Sequence, residues 1–136
     1  GTWLDRAFVV NDWYVSGYQP LADGSGQTNL SNNPAWDGIP VWSSDGTKII
    51  FSSSRDGNYE IYVMNADGSD PQRLTDSPTF DGFPSWAPDG QSIVFTSARD
   101  GSNDIYVMNA EGKFVMKFTH NTTAETMLAR LQAVLK

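Results

Sequence analysis

No cysteine occurs in the 136 residues, which excludes disulfides and thiolate metal sites and leaves the redox compartment open. There is a single histidine, His120. No Gly-x-Ser-x-Gly elbow accompanies it, so a serine–histidine–aspartate triad finds no support. Phosphate-binding loops, dinucleotide-binding glycine patterns and zinc-ligand spacings are missing as well. Apolar runs end after a few residues, well short of the roughly twenty needed to span a bilayer. Basic residues are scarce: nine Lys and Arg stand against sixteen Asp and Glu, for a net charge of −7. That balance opposes binding to nucleic acid or to an anionic membrane surface. The chain opens at Gly1 with neither an initiator Met nor a signal-type apolar stretch, so a removed leader or an excised piece is expected.

What is present is the chemistry of short strands and tight turns. Gly, Asn, Ser, Asp and Thr alternate with β-branched and aromatic residues, a mixture far from that of disordered chains. Pro34–Gly68 is written out again, forty-four residues later, as Pro78–Gly112, and 20 of 35 aligned positions are identical without a gap. A period of this length marks a repeat architecture, and four short strands per 40–45 residues is the size of one propeller blade.

The third unit predicts strands at Phe83–Ala87, Ser92–Ser97, Asp104–Asn109 and Phe114–Thr119, with turns at Pro88-Asp89-Gly90, Arg99–Asn103 and Ala110-Glu111-Gly112. The second unit repeats them at Pro40–Ser43, Lys48–Ser53, Glu60–Asn65 and Pro71–Thr75. The first unit is worn. Ala22-Asp23-Gly24-Ser25 answers Ala66-Asp67-Gly68-Ser69, strands are expected at Phe8–Val10 and Trp13–Tyr18, and Trp3 takes the place of Trp42 and Trp86. The units divide the chain into a truncated first blade (1–33), two full blades (34–77 and 78–121) and a C-terminal segment (122–136). There Thr122 and Glu125 have capping-box spacing, and Met127, Leu128, Leu131, Val134 and Leu135 form one helical stripe. A helix of about 14 residues is marginal alone in water, so it must dock, either on its own blades or on a neighbouring subunit.

The motifs Pro84-Ser85-Trp86-Ala87-Pro88-Asp89-Gly90, Ile93-Val94-Phe95-Thr96-Ser97-Ala98-Arg99-Asp100-Gly101 and Ile105-Tyr106-Val107-Met108 resemble the TolB-like, WD-repeat-like propeller repeats, as does Arg73-Leu74-Thr75. The resemblance is specific over 34–120, loose over 1–33, and does not reach 121–136. It implies an all-β fold of four-stranded antiparallel propeller blades, in a periplasmic or extracellular setting, and does not imply one activity. Closed propellers carry about 4–8 blades, so about three blades plus a C-terminal α-helix make an incomplete propeller with uncovered faces. Three remedies follow. The piece belongs to a longer propeller, two copies close a ring, or copies add head to tail into a fibre. A non-catalytic interaction module that assembles as a homo-oligomer through blade-to-blade contacts is the reading taken. The alternatives are a propeller gating a serine peptidase, or a TolB-like adaptor holding another envelope or extracellular protein at its channel mouth.

Two features carry a site expectation. Asp37-Gly38 and Asp81-Gly82 each follow an aromatic, Trp36 and Phe80, and the turns bearing Arg55 and Arg99 belong at the same end of the blades. The expectation is an ion pair repeated between blades, or a partner-binding rim, because aromatics and Arg anchor interfaces. The protein-binding candidates are therefore Trp36, Asp37, Arg55, Phe80, Asp81 and Arg99, joined by Met127, Leu128, Leu131 and Leu135 of the helical stripe. The second feature is Asp56–Glu60 and Asp100–Asp104, whose oxygens at i, i+2 and i+4 open like a calcium loop. Ile61 and Ile105 stand where such a loop needs Gly. A plain hairpin turn whose Asp bonds its own backbone is therefore preferred, and no cofactor is expected. The triplets Asn29-Leu30-Ser31 and Asn121-Thr122-Thr123 fit the glycosylation acceptor pattern, which arises by chance in an Asn- and Thr-rich chain.

Overall fold

Short apolar alternations punctuated by Asp-Gly turns produce three antiparallel sheets in sequence order. The computed structural model describes residues 8–11, 14–18, 27–119 and 122–134. Trp3, Trp13, the turn at 22–25, His120, Asn121, Leu135 and Lys136 lie outside the described residues. The first sheet holds β1 (Phe8–Asn11), β2 (Tyr14–Tyr18) and β3 (Gln27–Asn29). The second holds β4 (Asp37–Trp42), β5 (Lys48–Ser53), β6 (Glu60–Asn65) and β7 (Gln72–Arg73). The third holds β8 (Asp81–Trp86), β9 (Ser92–Ser97), β10 (Asp104–Asn109) and β11 (Phe114–Phe118). A helix, α1 (Ala124–Val134), follows. Each strand pairs with its sequence neighbour, the up-and-down order of a propeller blade.

Four strands, β5, β6, β9 and β10, fall where the alternation predicts them. The innermost strands do not. β4 and β8 begin at the Asp-Gly pairs rather than at Pro40 and Phe83, and each is broken by a bulge, between Gly38 and Val41 and between Gly82 and Ser85. Proline belongs at such a place, on an edge strand at a bulge, because it has no N–H for the ladder. β7 shrinks to two residues for the same reason, since Pro71 precedes it. The first sheet gains a third strand, β3, that the worn repeat did not announce.

The middle sheet is apolar on both faces. Ile49, Phe51, Tyr62 and Met64 form one cluster, with Leu30 and Trp42 against it. Ile50, Ile61 and Val63 point the other way and pack with Ile93, Phe95, Tyr106 and Met108 of the third sheet, joined by Val41, Leu74 and Trp86. β8 accordingly runs against β4, β5 and β6, while β1 and β2 lie against β4. Trp42 and Trp86 are half-buried and pack against these clusters. Gly112, at φ +82, seats the turn of the third sheet on the second: a Cβ there would stand 2.6 Å from the Leu74 carbonyl oxygen. On the far face of the third sheet Val107 and Phe118 are buried, and Val94 and Ile105 half-buried.

The helix starts one residue later than its capping box suggests. Thr123 Oγ1 accepts the Thr126 N–H at 3.2 Å, so Thr123 is the N-cap. Thr122 is occupied elsewhere, its hydroxyl accepting the Thr119 N–H at 3.0 Å. Every helix side chain described is exposed, Leu128 at 58%.

Ile61 is fully buried in the cluster shared by the second and third sheets. Ile61→Ala should cost about 2–5 kcal/mol in urea unfolding. A loss below about 1 kcal/mol would show that the two sheets do not pack face to face.

Candidate functional site

Asp37 and Asp81, the first residues of β4 and β8, have no exposed surface. A buried carboxylate must be paired, and the register decides with what. Asp37 lies opposite Ser53 and Asp81 opposite Ser97, so the cation two residues on in the same blade is within reach. Arg55 Nη2 stands 3.1 Å from Asp37 Oδ2, its Nε donates to Ser53 Oγ at 2.9 Å, and its guanidinium lies 4.6 Å above the Tyr62 ring. Arg99 repeats this with Asp81 at 2.8 Å, Ser97 Oγ at 2.8 Å and Tyr106 at 4.8 Å. The ion pair is thus repeated within the second and the third blade, not between blades as the sequence suggested. Asp37 and Asp81 are buried and offer nothing to a partner directly, while both guanidinium groups lie over rings and Arg99 remains partly exposed.

Glu60 is also fully buried. It accepts from Asn58 Nδ2 (3.0 Å), Arg73 Nη2 (3.0 Å), Thr75 Oγ1 (2.6 Å) and the Ser77 N–H (3.0 Å). Asn58 Nδ2 reaches on to the carbonyls of Ser77 and Thr79, which tethers the link into the third blade. Arg73 sits among Glu60, Asp56 and Asp76. Burial pulls its pKa down, but those carboxylates outweigh it and hold the group above its ordinary value. In the third blade Lys117 takes the same place, 2.7 Å from Asp100 and 2.9 Å from Asp104. Hydrogen bonds to those two carboxylates push the Lys117 pKa up, and the Lys117 and Tyr106 hydrogen bonds hold that of Asp100 down.

The loop oxygens that open like a calcium site therefore face a basic side chain supplied by the outer strand. Asp56 and Asp100 do not cap their own turns either. They accept the hydroxyl protons of Tyr62 and Tyr106. Burial and Asp56 push the Tyr62 phenol up to about 12. The turns in which Asp binds its own backbone are at Asp45, Asp67 and Asp89. Among the described residues no three His, Cys, Asp or Glu side chains converge as a metal would need.

Beside these ion pairs the blade ends also present aromatic surface. Trp36 meets Tyr59 at 5.2 Å and 79°, Tyr59 meets Phe80 at 5.8 Å and 59°, and Phe80 meets Phe83 at 5.6 Å and 53°. The four rings run unbroken from the link before the second blade to the innermost strand of the third. Gly38 and Gly82 lie under Trp36 and Phe80, where a Cβ would come within 2.5 Å and 2.3 Å of ring carbons. This close approach is why each aromatic is followed by Asp-Gly. Tyr59 (38%), Phe83 (59%) and Ile39 (38%), the residue after Gly38, are exposed, while Trp36 and Phe80 are half-buried.

Of the residues expected at a site, the structure brings Trp36 and Phe80 together through Tyr59. Asp37, Arg55, Asp81 and Arg99 form the supporting layer. Leu128 is exposed on α1, Met127 and Leu131 fall within that helix, and Leu135 is outside the described residues. Sequence reasoning missed Ile39, Tyr59 and Phe83. Gly-Ile-Pro and Gly-Phe-Pro, with a large apolar residue between two backbone breakers, were the available signal.

Consecutive up-and-down sheets of four strands, packed face to face at a period of forty-four, define the blades of a β-propeller. The profile of the TolB beta propeller domain matches residues 19–131, and the chain belongs to that family. A putative TolB from Agrobacterium tumefaciens superposes with a TM-score of 0.70 at 26% identity, over 82% of this chain and 43% of its own. TolB from Acinetobacter baumannii gives 0.62 at 28% identity, over 79% of this chain and 27% of its own. An oligogalacturonate lyase in complex with manganese, 18% identical, gives 0.57 over 77% of this chain and 30% of its own, and shares the fold alone. The chain thus spans less than half the length of these structures. No curated protein matches it.

Removing the Arg73 cation strands a buried carboxylate. Arg73→Met should destabilise by about 2–4 kcal/mol, less than a fully buried pair because Arg73 is partly exposed. Pairing it with Glu60→Gln should recover part of that loss in urea melts. If the double variant is no more stable than the single one, Glu60 is not what makes Arg73 necessary.

Proposed function

We propose that the chain is a non-catalytic protein-interaction module whose contact surface is the aromatic strip Trp36–Tyr59–Phe80–Phe83 with Ile39 beside it. The observation that carries this reading is exposure of large apolar side chains at one end of blades whose other groups there are paired. Membership of the TolB propeller family supports protein binding as the general role, and the resemblance supports the periplasm as the setting. No helix of the described residues is long and apolar enough to cross a membrane.

The rings lie at 53–79° to one another, so the strip offers both faces and edges to the apolar side chains of a polypeptide. Charge favours a basic partner. Seven carboxylates at this end share four cations, Arg55, Arg73, Arg99 and Lys117, leaving negative charge in excess. A short extended peptide of alternating leucine and lysine should bind in fluorescence anisotropy, and a leucine–glutamate peptide should bind more weakly. Tyr59→Ala should weaken the leucine–lysine complex about tenfold, equivalent to about 1.4 kcal/mol. Unchanged affinity in that variant would remove the strip from the binding surface.

A second reading, assembly of copies through blade faces, rests on a separate observation. Val94 and Ile105 are half-buried on the outward face of the third sheet, which no further sheet covers among the described residues. In it the stripe Met127, Leu128, Leu131 and Leu135 helps the contact. Light scattering should then give a mass of at least twice 15.0 kDa, falling to the single-chain value in Ile105→Lys. A wild type of single-chain mass at high concentration would end this reading.

A further inference from the structure

Ile39 and Phe83 occupy a backbone conformation that neither residue type favours. Their φ angles are +53° and +54°, in the left-handed region where a Cβ crowds the following carbonyl. A β-branched or bulky residue there is an outlier. The other described positive-φ positions are filled by glycine, or by Asn32 and Asp70, whose types tolerate the region. The cause is local and occurs twice. Each residue lies in the bulge of an innermost strand, after a glycine that seats an aromatic ring and before a proline.

A glycine or asparagine at 39 and 83 would relieve the strain without disturbing the bulge. Both blades instead carry a large apolar side chain, and both side chains are exposed, at 38% and 59%. Burial therefore explains little of the choice. Strain that the fold does not need points to function.

Resting on the proposed role of the aromatic strip, we propose that Ile39 and Phe83 are its specificity-determining residues. They are two apolar pegs, one per blade, held out of the sheet by strained backbone, and they fit between alternate side chains of an extended, net-basic polypeptide segment. The bulge turns each peg away from the blade's own core. The tilted rings take the partner's apolar side chains, and the net negative charge of the ion-paired groups at this end takes its basic ones. A partner segment in extended form suits pegs on innermost strands, because successive side chains of a strand point to opposite sides and every second one meets the surface.

The test separates strain from contact by comparing alanine with glycine at each position. Both substitutions delete the peg, but only glycine relieves the backbone. Ile39→Gly and Phe83→Gly should melt about 4–8 °C above Ile39→Ala and Phe83→Ala, the reverse of the order in an ordinary strand, where glycine is the weaker residue. All four variants should bind the leucine–lysine peptide about tenfold more weakly than wild type. Glycine variants melting at or below their alanine counterparts would remove the strain and overturn the inference. Normal peptide affinity in all four, with Tyr59→Ala still impaired, would overturn the pegs and leave the strip as the binding surface. Normal affinity in all five variants would overturn both.

Discussion

A four-stranded sheet with apolar side chains on both faces is stable only between two neighbours, and the rest of this structure follows from that constraint. The second blade meets it fully. Ile49, Phe51, Tyr62 and Met64 face one way, with Leu30 and Trp42 against them, and Ile50, Ile61 and Val63 face the other, closed by the third sheet. Because consecutive blades share a core, their relative placement is set by packing, with the turn at Gly112 seated on the backbone of Leu74. The same logic leaves the outward face of the third blade dependent on whatever lies next to it. The chain spans only 43% and 27% of the lengths of the two TolB structures it resembles.

Close packing of sheets brings polar strand ends into places without water, and the chain answers with internal cations. Asp37, Asp81 and Glu60 are buried outright, and a buried carboxylate left alone costs more than most single contacts return. Arg55 and Arg99 are held over rings while they reach their aspartates, so charge, hydrogen bonding and aromatic packing act on one group. Arg73 and Lys117 do the equivalent work at the outer strands. The consequence for function is indirect. Each basic side chain of these networks is engaged by carboxylates of its own blade, and aromatic surface with surplus negative charge around it lies beside them.

That surface depends on chain geometry more than on composition. The ring series crosses from one blade to the next because Tyr59, in a turn of the second blade, lies between Trp36 and Phe80, which sit in successive inter-blade links. Glycines at 38 and 82 let the links lie flat on the strands below them, and the bulges that follow push Ile39 and Phe83 outward. A scaffold that holds its turns by buried ion pairs presents such rings with little freedom left to lose on binding, which favours affinity. The TolB family places the chain among propellers, and the strip is the contact surface only on the function proposed above.

The repeat by itself determined the blade fold, the period and the central strands, since identical alternations of Ile, Val, Phe and Tyr between Asp-Gly turns have one low-energy pairing. It also singled out Trp36, Phe80 and the Asp and Arg residues, because polar and aromatic residues that recur in register must meet the same surroundings twice. What it could not show was which partner each would find. Whether Arg55 reaches the aspartate of its own blade or of the next depends on strand register, and whether the Asp56–Glu60 oxygens meet a metal or a guanidinium depends on where β7 brings Arg73. Bulges escape a periodicity argument altogether, because one added residue changes the facing of a side chain without changing the pattern of residue types. Composition and period are local properties and were readable in one dimension. Pairing, burial and the outward turn of Ile39 and Phe83 are relations between distant segments, and only the packed sheets decide them.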